Sequence, residues 1–189
     1  MNLDDLWARL ERWLSEHCKE LDGALRPGAS PNKIEAIEQH LGFTLPEEVR
    51  SFYGIHDGQT ESSPELFDGF RFLPLDDLFT EWSMWKDDPA PKDFETESAS
   101  ANTVKPVWWN ARWLPFAANG CGDNHAIDLD PNPEGEYGQI IGIWLAPPDR
   151  NLLSASLTDW FSSFVNRVEN GEFHYCEDMD GFVEIEDDE

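Results

Sequence analysis

The sequence predicts an α+β fold, in which N-terminal helices and a C-terminal helix pack around a mainly antiparallel β-sheet. Three observations support this prediction. Apolar residues recur at helical spacing near the N-terminus, apolar runs separated by turn residues follow, and a further helical pattern comes after them. Helices followed by hairpin strands and a last helix are typical of an α+β fold and not of a βαβ series.

The first helix is predicted from Leu3 to Leu14, because apolar residues at three- and four-residue steps form one stripe there. The pair Ser30-Pro31 then has the residue types of a helix start, with Ser as the N-cap and Pro in the first turn. Gly42 stands where this second helix should end.

The third helix is predicted to begin within Leu45-Pro46-Glu47-Glu48, and Thr44 and Glu47 have the spacing of a capping box. A short strand at 70–73 and the entry to a fourth helix at 75–78 follow.

The second half is predicted to be mostly β-structure. Its apolar runs are separated by the turn residues of 119–124 and 130–135, which suit hairpin connections. Ser156 can cap the last helix, and a terminal hairpin is expected across Asp180-Gly181. The apolar runs lie at 107–109, 113–117, 125–129 and 139–145.

The chain length fits a single domain over residues 1–189. We expect its core to span about 6–171. Residues 86–106 are poor in apolar side chains and are predicted to form an exposed insertion. Residues 172–189 are predicted to be an acidic C-terminal extension.

The charge balance restricts the class of partner. The chain has 39 acidic and 13 basic residues and a formal net charge of −26. This charge disfavours nucleic acid and anionic membranes, because both carry negative charge of their own. From composition alone, the acidic residues fit either a solubilising surface or the binding of a basic protein partner, whose approach the negative charge would accelerate.

The cysteines and the N-terminus indicate a cytoplasmic protein. Cys18, Cys121 and Cys176 form an odd, unpatterned set, which fits free thiols in a reducing compartment. The N-terminus has no basic and apolar segment of the secretory kind, and no apolar run reaches the ~20 residues of a membrane span.

The sequence predicts no catalytic residues, no metal site and no cofactor. The cluster Gly120 to His125 brings together a thiol, a carboxylate and an imidazole, but we interpret it as a hairpin turn. Residues 128–134 carry oxygen ligands on alternate positions, yet Pro133 and Gln139 stand where a calcium loop needs Gly and Glu.

Several segments together resemble the SMI1/KNR4, or SUKH, superfamily. They are the helical Trp-containing N-terminus, 45–58, 113–131 with 138–141, and 160–164 with the Glu-Asn-Gly ending at Gly171. The resemblance runs from about Leu6 to Gly171 and implies an α+β fold and a non-catalytic role. Bacterial members are similar to immunity proteins that neutralise toxins, often nucleases, whereas fungal members suggest a regulatory or scaffold role in cell-wall signalling.

Our main expectation is an immunity protein that blocks a cognate toxin by occlusion through an acidic surface. The alternatives are a regulatory or scaffold protein of the cell-wall-signalling type and a small-ligand-binding domain. The residues predicted to contact the partner lie in the loops and strand ends of the family pattern, with one aromatic anchor beside them: Asp57, Trp109, Asp123, Asp128 and Asp130.

Overall fold

A computed structural model describes residues 2–90, 102–146, 148–178 and 181–185 of the chain. It contains five helices and two antiparallel sheets in these residues, and it confirms the predicted α+β class. The helices are α1 (Leu3–His17), α2 (Pro31–Leu41), α3 (Glu47–Ile55), α4 (Leu75–Asp87) and α5 (Leu157–Glu169). The strands are β1 (Arg71–Phe72), β2 (Trp113–Ala118), β3 (Asn124–Asp128), β4 (Gln139–Leu145), β5 (Pro148–Ser154), β6 (Phe173–Cys176) and β7 (Gly181–Glu184).

Side-chain caps begin three of the helices. Asn2, Ser30 and Ser156 each accept a backbone N–H from the first turn of α1, α2 and α5. The capping box predicted for α3 is wrong, because Pro46 occupies the cap position and no side chain bonds there. The carboxylate of Glu38 accepts the nearby N–H of Leu45 instead, at 2.7 Å.

The main sheet has the strand order β1-β2-β3-β4-β5, and every neighbouring pair is antiparallel. The edge strand β5 was not predicted, because its sequence begins with Pro and is largely polar. Residues 107–109, by contrast, form no strand.

The larger core lies on one face of the sheet and is covered by α1, α3 and α5. Trp7 is fully buried at its centre, with ring centroids 5.0 Å from Phe52 and 4.4 Å from Phe161. Burial of such aromatic rings dominates the energy of a core. The N-terminal helices therefore hold α5 against the sheet.

A second, smaller core covers the opposite face of the sheet. Its buried members come from the end of α4, from the segment before β2 and from the sheet itself: Trp85, Val104, Trp108, Trp113, Ala126, Ile141 and Ile143. Val104 is fully buried, so the prediction of an exposed insertion at 86–106 is wrong at this residue. Residues 91–101 of that prediction lie outside the described residues.

The predicted terminal hairpin is present, but it belongs to the larger core. Phe173 on β6 and Phe182 on β7 are buried, and their rings lie 5.4 Å apart. The backbone N–H of Phe182 donates to the carbonyl of Glu65 at 2.8 Å. Apolar packing therefore continues beyond residue 171, where we expected the core to end. Residues 179–180 and 186–189 of the acidic extension lie outside the described residues.

The helices of the described ranges are all too short or too polar to cross a lipid bilayer.

Candidate functional site

Asp57, the first of the predicted contact residues, is 4% exposed and has internal partners. Its carboxylate lies 2.7 Å from the ammonium of Lys33 and accepts the N–H of Leu75 at 2.9 Å. Burial lowers the pKa of Lys33, but hydrogen bonds to Asp57 and Asp76 outweigh this and raise it overall. Asp57 therefore joins α2 to the positive N-terminus of α4.

Asp128 is fully buried on β3 and fixes the loops at the end of the sheet. Its carboxylate accepts the side-chain amide of Gln139 and the N–H of Asp130, both at 2.9 Å. Burial raises the pKa of Asp128. The carboxylate of Asp130 is partly exposed and lies 2.5 Å from Lys105, whose hydrogen bond is the main cause that lowers the pKa of Asp130.

Asp123 and Trp109 are also partly exposed. Asp123 lies in the β2–β3 turn and accepts the N–H of Leu145 at 2.8 Å. The ring of Trp109 is stacked on Trp85 at 5.7 Å. Trp109 is less buried than Trp108, and neither residue lies on a strand. Partner binding by the five residues stays a prediction, and the burial of Asp57 and Asp128 gives these two an internal role.

The Gly120 to His125 cluster does not form a reactive constellation. Cys121 is exposed on the turn, Asp123 bonds to Leu145, and His125 lies on β3 among aromatic rings. No group of three or more His, Cys, Asp or Glu residues that could hold a metal ion occurs in the described ranges.

A groove of about 400 Å³ lies between α5, the main sheet and the terminal hairpin. We call it the aromatic groove. Its volume is within the range of ligand and anchor pockets, roughly 300–1,000 Å³. Aromatic side chains dominate its lining, and a few polar groups are placed among them: Phe67, Asp68, His125, Trp144, Leu153, Ser154, Trp160, Ser163, Phe164, Arg167 and Phe173.

His125 is one of the polar residues that line the aromatic groove. Its ring is stacked on Phe70 at 4.1 Å and meets Trp160 edge-on at 5.8 Å. Burial lowers the pKa of His125 to about 4, so the imidazole is neutral at pH 7. Its Nδ1 atom has no hydrogen-bond partner among the described residues. The neutral, stacked ring of His125 therefore adds to the apolar character of the groove.

Arg167 fastens the terminal hairpin at the mouth of the groove. Its guanidinium donates to Glu172 at 2.7 Å, forms a second ion pair with Glu184 and lies over the ring of Phe173. The hydrogen bonds to both carboxylates raise the pKa of Arg167. On the other side, Asp68 accepts the N–H of Glu184 at 3.0 Å. The hairpin is thus a fixed wall of the groove.

Comparison with known proteins identifies the family. The model of the SMI1 / KNR4 family (SUKH-1) matches residues 28–163, which is well over half of the chain. The chain belongs to the SMI1/KNR4 family. This confirms the resemblance stated from the sequence. The matched segment contains the lining residues of the aromatic groove except Phe164, Arg167 and Phe173.

Curated relatives of this SMI1/KNR4 chain come from fungi and mammals. It is 28% identical to KNR4/SMI1 homolog 2 of Debaryomyces hansenii, over 95% of this chain and 38% of that protein. It is 24% identical to the cell wall assembly regulator SMI1 of Saccharomyces cerevisiae, over 93% of this chain and 42% of that protein. It is 25% identical to F-box only protein 3 of Bos taurus, over 92% of this chain and 36% of that protein. The chain thus spans less than half the length of these relatives.

Proposed function

We propose that this SMI1/KNR4 chain is a non-catalytic regulatory module that binds a protein partner. The observation that carries the proposal is the naming of its fungal relatives as regulators. Besides the Saccharomyces protein, they include the cell wall biosynthesis/cell cycle regulator smi1 of Schizosaccharomyces pombe, which is 28% identical over 93% of this chain. The immunity role that we expected first finds no support in these names, and the regulatory alternative is the one we adopt.

The aromatic groove is the surface that we propose for this partner. Trp and Arg are the side chains most enriched at energetic centres of interfaces, and Trp144, Trp160 and Arg167 line this groove. A protein side chain of apolar character could fill the groove, with the neutral ring of His125 beside it. The chemistry of the groove needs no cofactor for this task.

A blocking substitution tests the role of the groove. Ser163 is exposed on α5 and lines the groove, so Ser163→Arg should fill it without disturbing the core. Ser15→Arg makes the same chemical change at an exposed position of α1 and is the matched control. Each form is tagged and used to capture proteins from the cells that produce it.

The captured protein is then purified and titrated calorimetrically against all three forms. We expect direct binding to the wild type and the Ser15→Arg control, and a loss of about tenfold or more with Ser163→Arg, which is roughly 1.4 kcal/mol. A captured protein that fails to bind directly, or equal affinity of all three forms, would contradict the proposal.

A further inference from the structure

In the part of the chain that the structure describes, a second surface with exposed apolar side chains lies on the opposite face of the main sheet. Two large apolar side chains are exposed there, Met84 on α4 by 63% and Leu145 at the end of β4 by 40%. Both line one shallow cavity of about 450 Å³. We call this surface the α4 patch, and it consists of Glu81, Met84, Trp85, Asp87, Asp88, Gly122 and Leu145.

The apolar part of the α4 patch is held in place by its surroundings. A Cβ atom at Gly122 would lie 2.6 Å from the Leu145 side chain, so the glycine leaves room for it. The backbone N–H of Leu145 is fixed by Asp123 at 2.8 Å. Trp85 is buried beside Met84 as part of the smaller core. Leu145 and Trp85 therefore form a fixed part of the patch.

Carboxylates surround this apolar surface. Glu81 and Met84 lie three residues apart and so share one face of α4, and Asp88, which follows the last turn of that helix, lines the same cavity. Within the described ranges, Glu81, Asp87 and Asp88 form no ion pair, whereas Asp77 one turn earlier is paired with Arg71. The ammonium of the neighbouring Lys86 lies over the ring of Trp82 instead. The patch thus presents negative charge that the described residues do not neutralise.

Charge determines which occupant fits this surface. Phosphates of nucleic acid or lipid would face these carboxylates with like charge, and so would a second copy of a chain with net charge −26. A Lys/Arg-rich protein segment has the complementary charge. The flexible Met84 and the exposed Leu145 can bury an apolar residue of the same segment.

We propose that the α4 patch binds a Lys/Arg-rich segment of a protein partner through one or two apolar anchor residues. Adjacent strand residues point to opposite faces, so Trp144 lines the aromatic groove while Leu145 lies in the α4 patch. The inference shares with the proposed function the premise of a protein partner. It concerns a different surface, and each proposal can fail alone.

The probe is a fluorescein-labelled amphipathic peptide of Leu and Lys, and a peptide with Ser in place of Leu is its comparison. Anisotropy titrations measure the Kd for the wild type and for two patch variants. Glu81→Lys/Asp88→Lys reverses the rim charge, and Met84→Ser/Leu145→Ser removes the apolar surface without changing the charge. Glu16→Lys/Glu35→Lys makes the same charge change at exposed positions of α1 and α2 and is the matched control.

We expect each patch variant to bind the Leu/Lys peptide about tenfold more weakly, and the control to stay within about twofold of the wild type. Ser163→Arg in the aromatic groove should leave this affinity unchanged. Equal weakening by the patch and control charge variants would overturn the proposal, as would equal affinity for the Ser/Lys peptide. A wild-type dimer that Met84→Ser/Leu145→Ser dissociates in sedimentation would assign the patch to a second copy instead.

Discussion

Replacement of Phe182 by Ala tests whether the terminal hairpin is part of the core. Phe182 is fully buried, with ring centroids 5.4 Å from Phe173 and 5.6 Å from Trp13 on α1. Truncation of a buried Phe to Ala costs about 3–5 kcal/mol, because burial is lost and a cavity remains. With an m-value of about 2 kcal/mol per molar urea, the unfolding midpoint should fall by about 2 M.

The matched control is Ile185→Ala, directly after the same strand, where the side chain is 46% exposed. We expect this change to stay within about 0.5 kcal/mol of the wild type. Urea titrations followed by Trp fluorescence and by far-ultraviolet circular dichroism measure both variants. A loss below about 1 kcal/mol for Phe182→Ala would show that the hairpin packs only loosely, and the groove would then lack a fixed wall.

Three further predictions concern the buried polar groups. Asp57→Ala should lower the free energy of unfolding by about 3 kcal/mol, because it leaves buried partners unpaired. Asp76→Ala, on the exposed side of Lys33, should lower it by less than about 1 kcal/mol. Thermal and urea unfolding compare the two variants, and similar losses would contradict this prediction. His125 has its pKa lowered from 6.5 to about 4, so the unfolded chain binds the proton more strongly, and stability should decline by roughly 2–3 kcal/mol as the pH falls from 6.5 to 4. Urea titrations across that range should show a weaker decline for His125→Gln, and an unchanged decline would refute this account. Arg150→Lys should lower the free energy of unfolding by about 2 kcal/mol in urea titrations. An ammonium cannot reproduce the guanidinium hydrogen bonds to the carbonyls of Trp108, Trp144 and Asp149. An unchanged free energy of unfolding would contradict this prediction.

Much of the fold could be predicted because local signals determine its elements. Ser30 and Ser156 mark their helices by a side-chain oxygen that accepts a backbone N–H three residues later, and Gly42 ends α2 in a left-handed conformation. The edge strand β5 escaped prediction because only pairing with β4 makes its polar sequence extended. Val104 was predicted to be exposed for a similar reason, since sheet residues of the core that buries it, such as Ile141, lie more than 20 positions later in the sequence.

The candidate surfaces could be predicted only in part. Trp109 was the aromatic residue predicted as an anchor, but it does not line the aromatic groove, which combines Phe67, His125, Trp160 and Phe173. No local sequence pattern connects these four residues. Asp57 was predicted to be exposed at a turn, and its burial depends on Lys33, 24 residues earlier. Long-range pairing of charges thus separated the structural carboxylates from those that remain at the surface.

The position of the terminal hairpin has a consequence for how this family is delimited. The recognisable family sequence ends at residue 163, within α5, and begins at residue 28, after α1. Arg9 of α1 nevertheless bonds to Asn166 and Glu169 of α5, and Phe173 closes the groove from outside the matched segment. A fragment cut to the matched residues would expose apolar surface at both ends. The alignments with the Debaryomyces and Saccharomyces proteins include these flanks, since they cover 95% and 93% of this chain. They therefore follow the packed fold more closely than the matched family segment does.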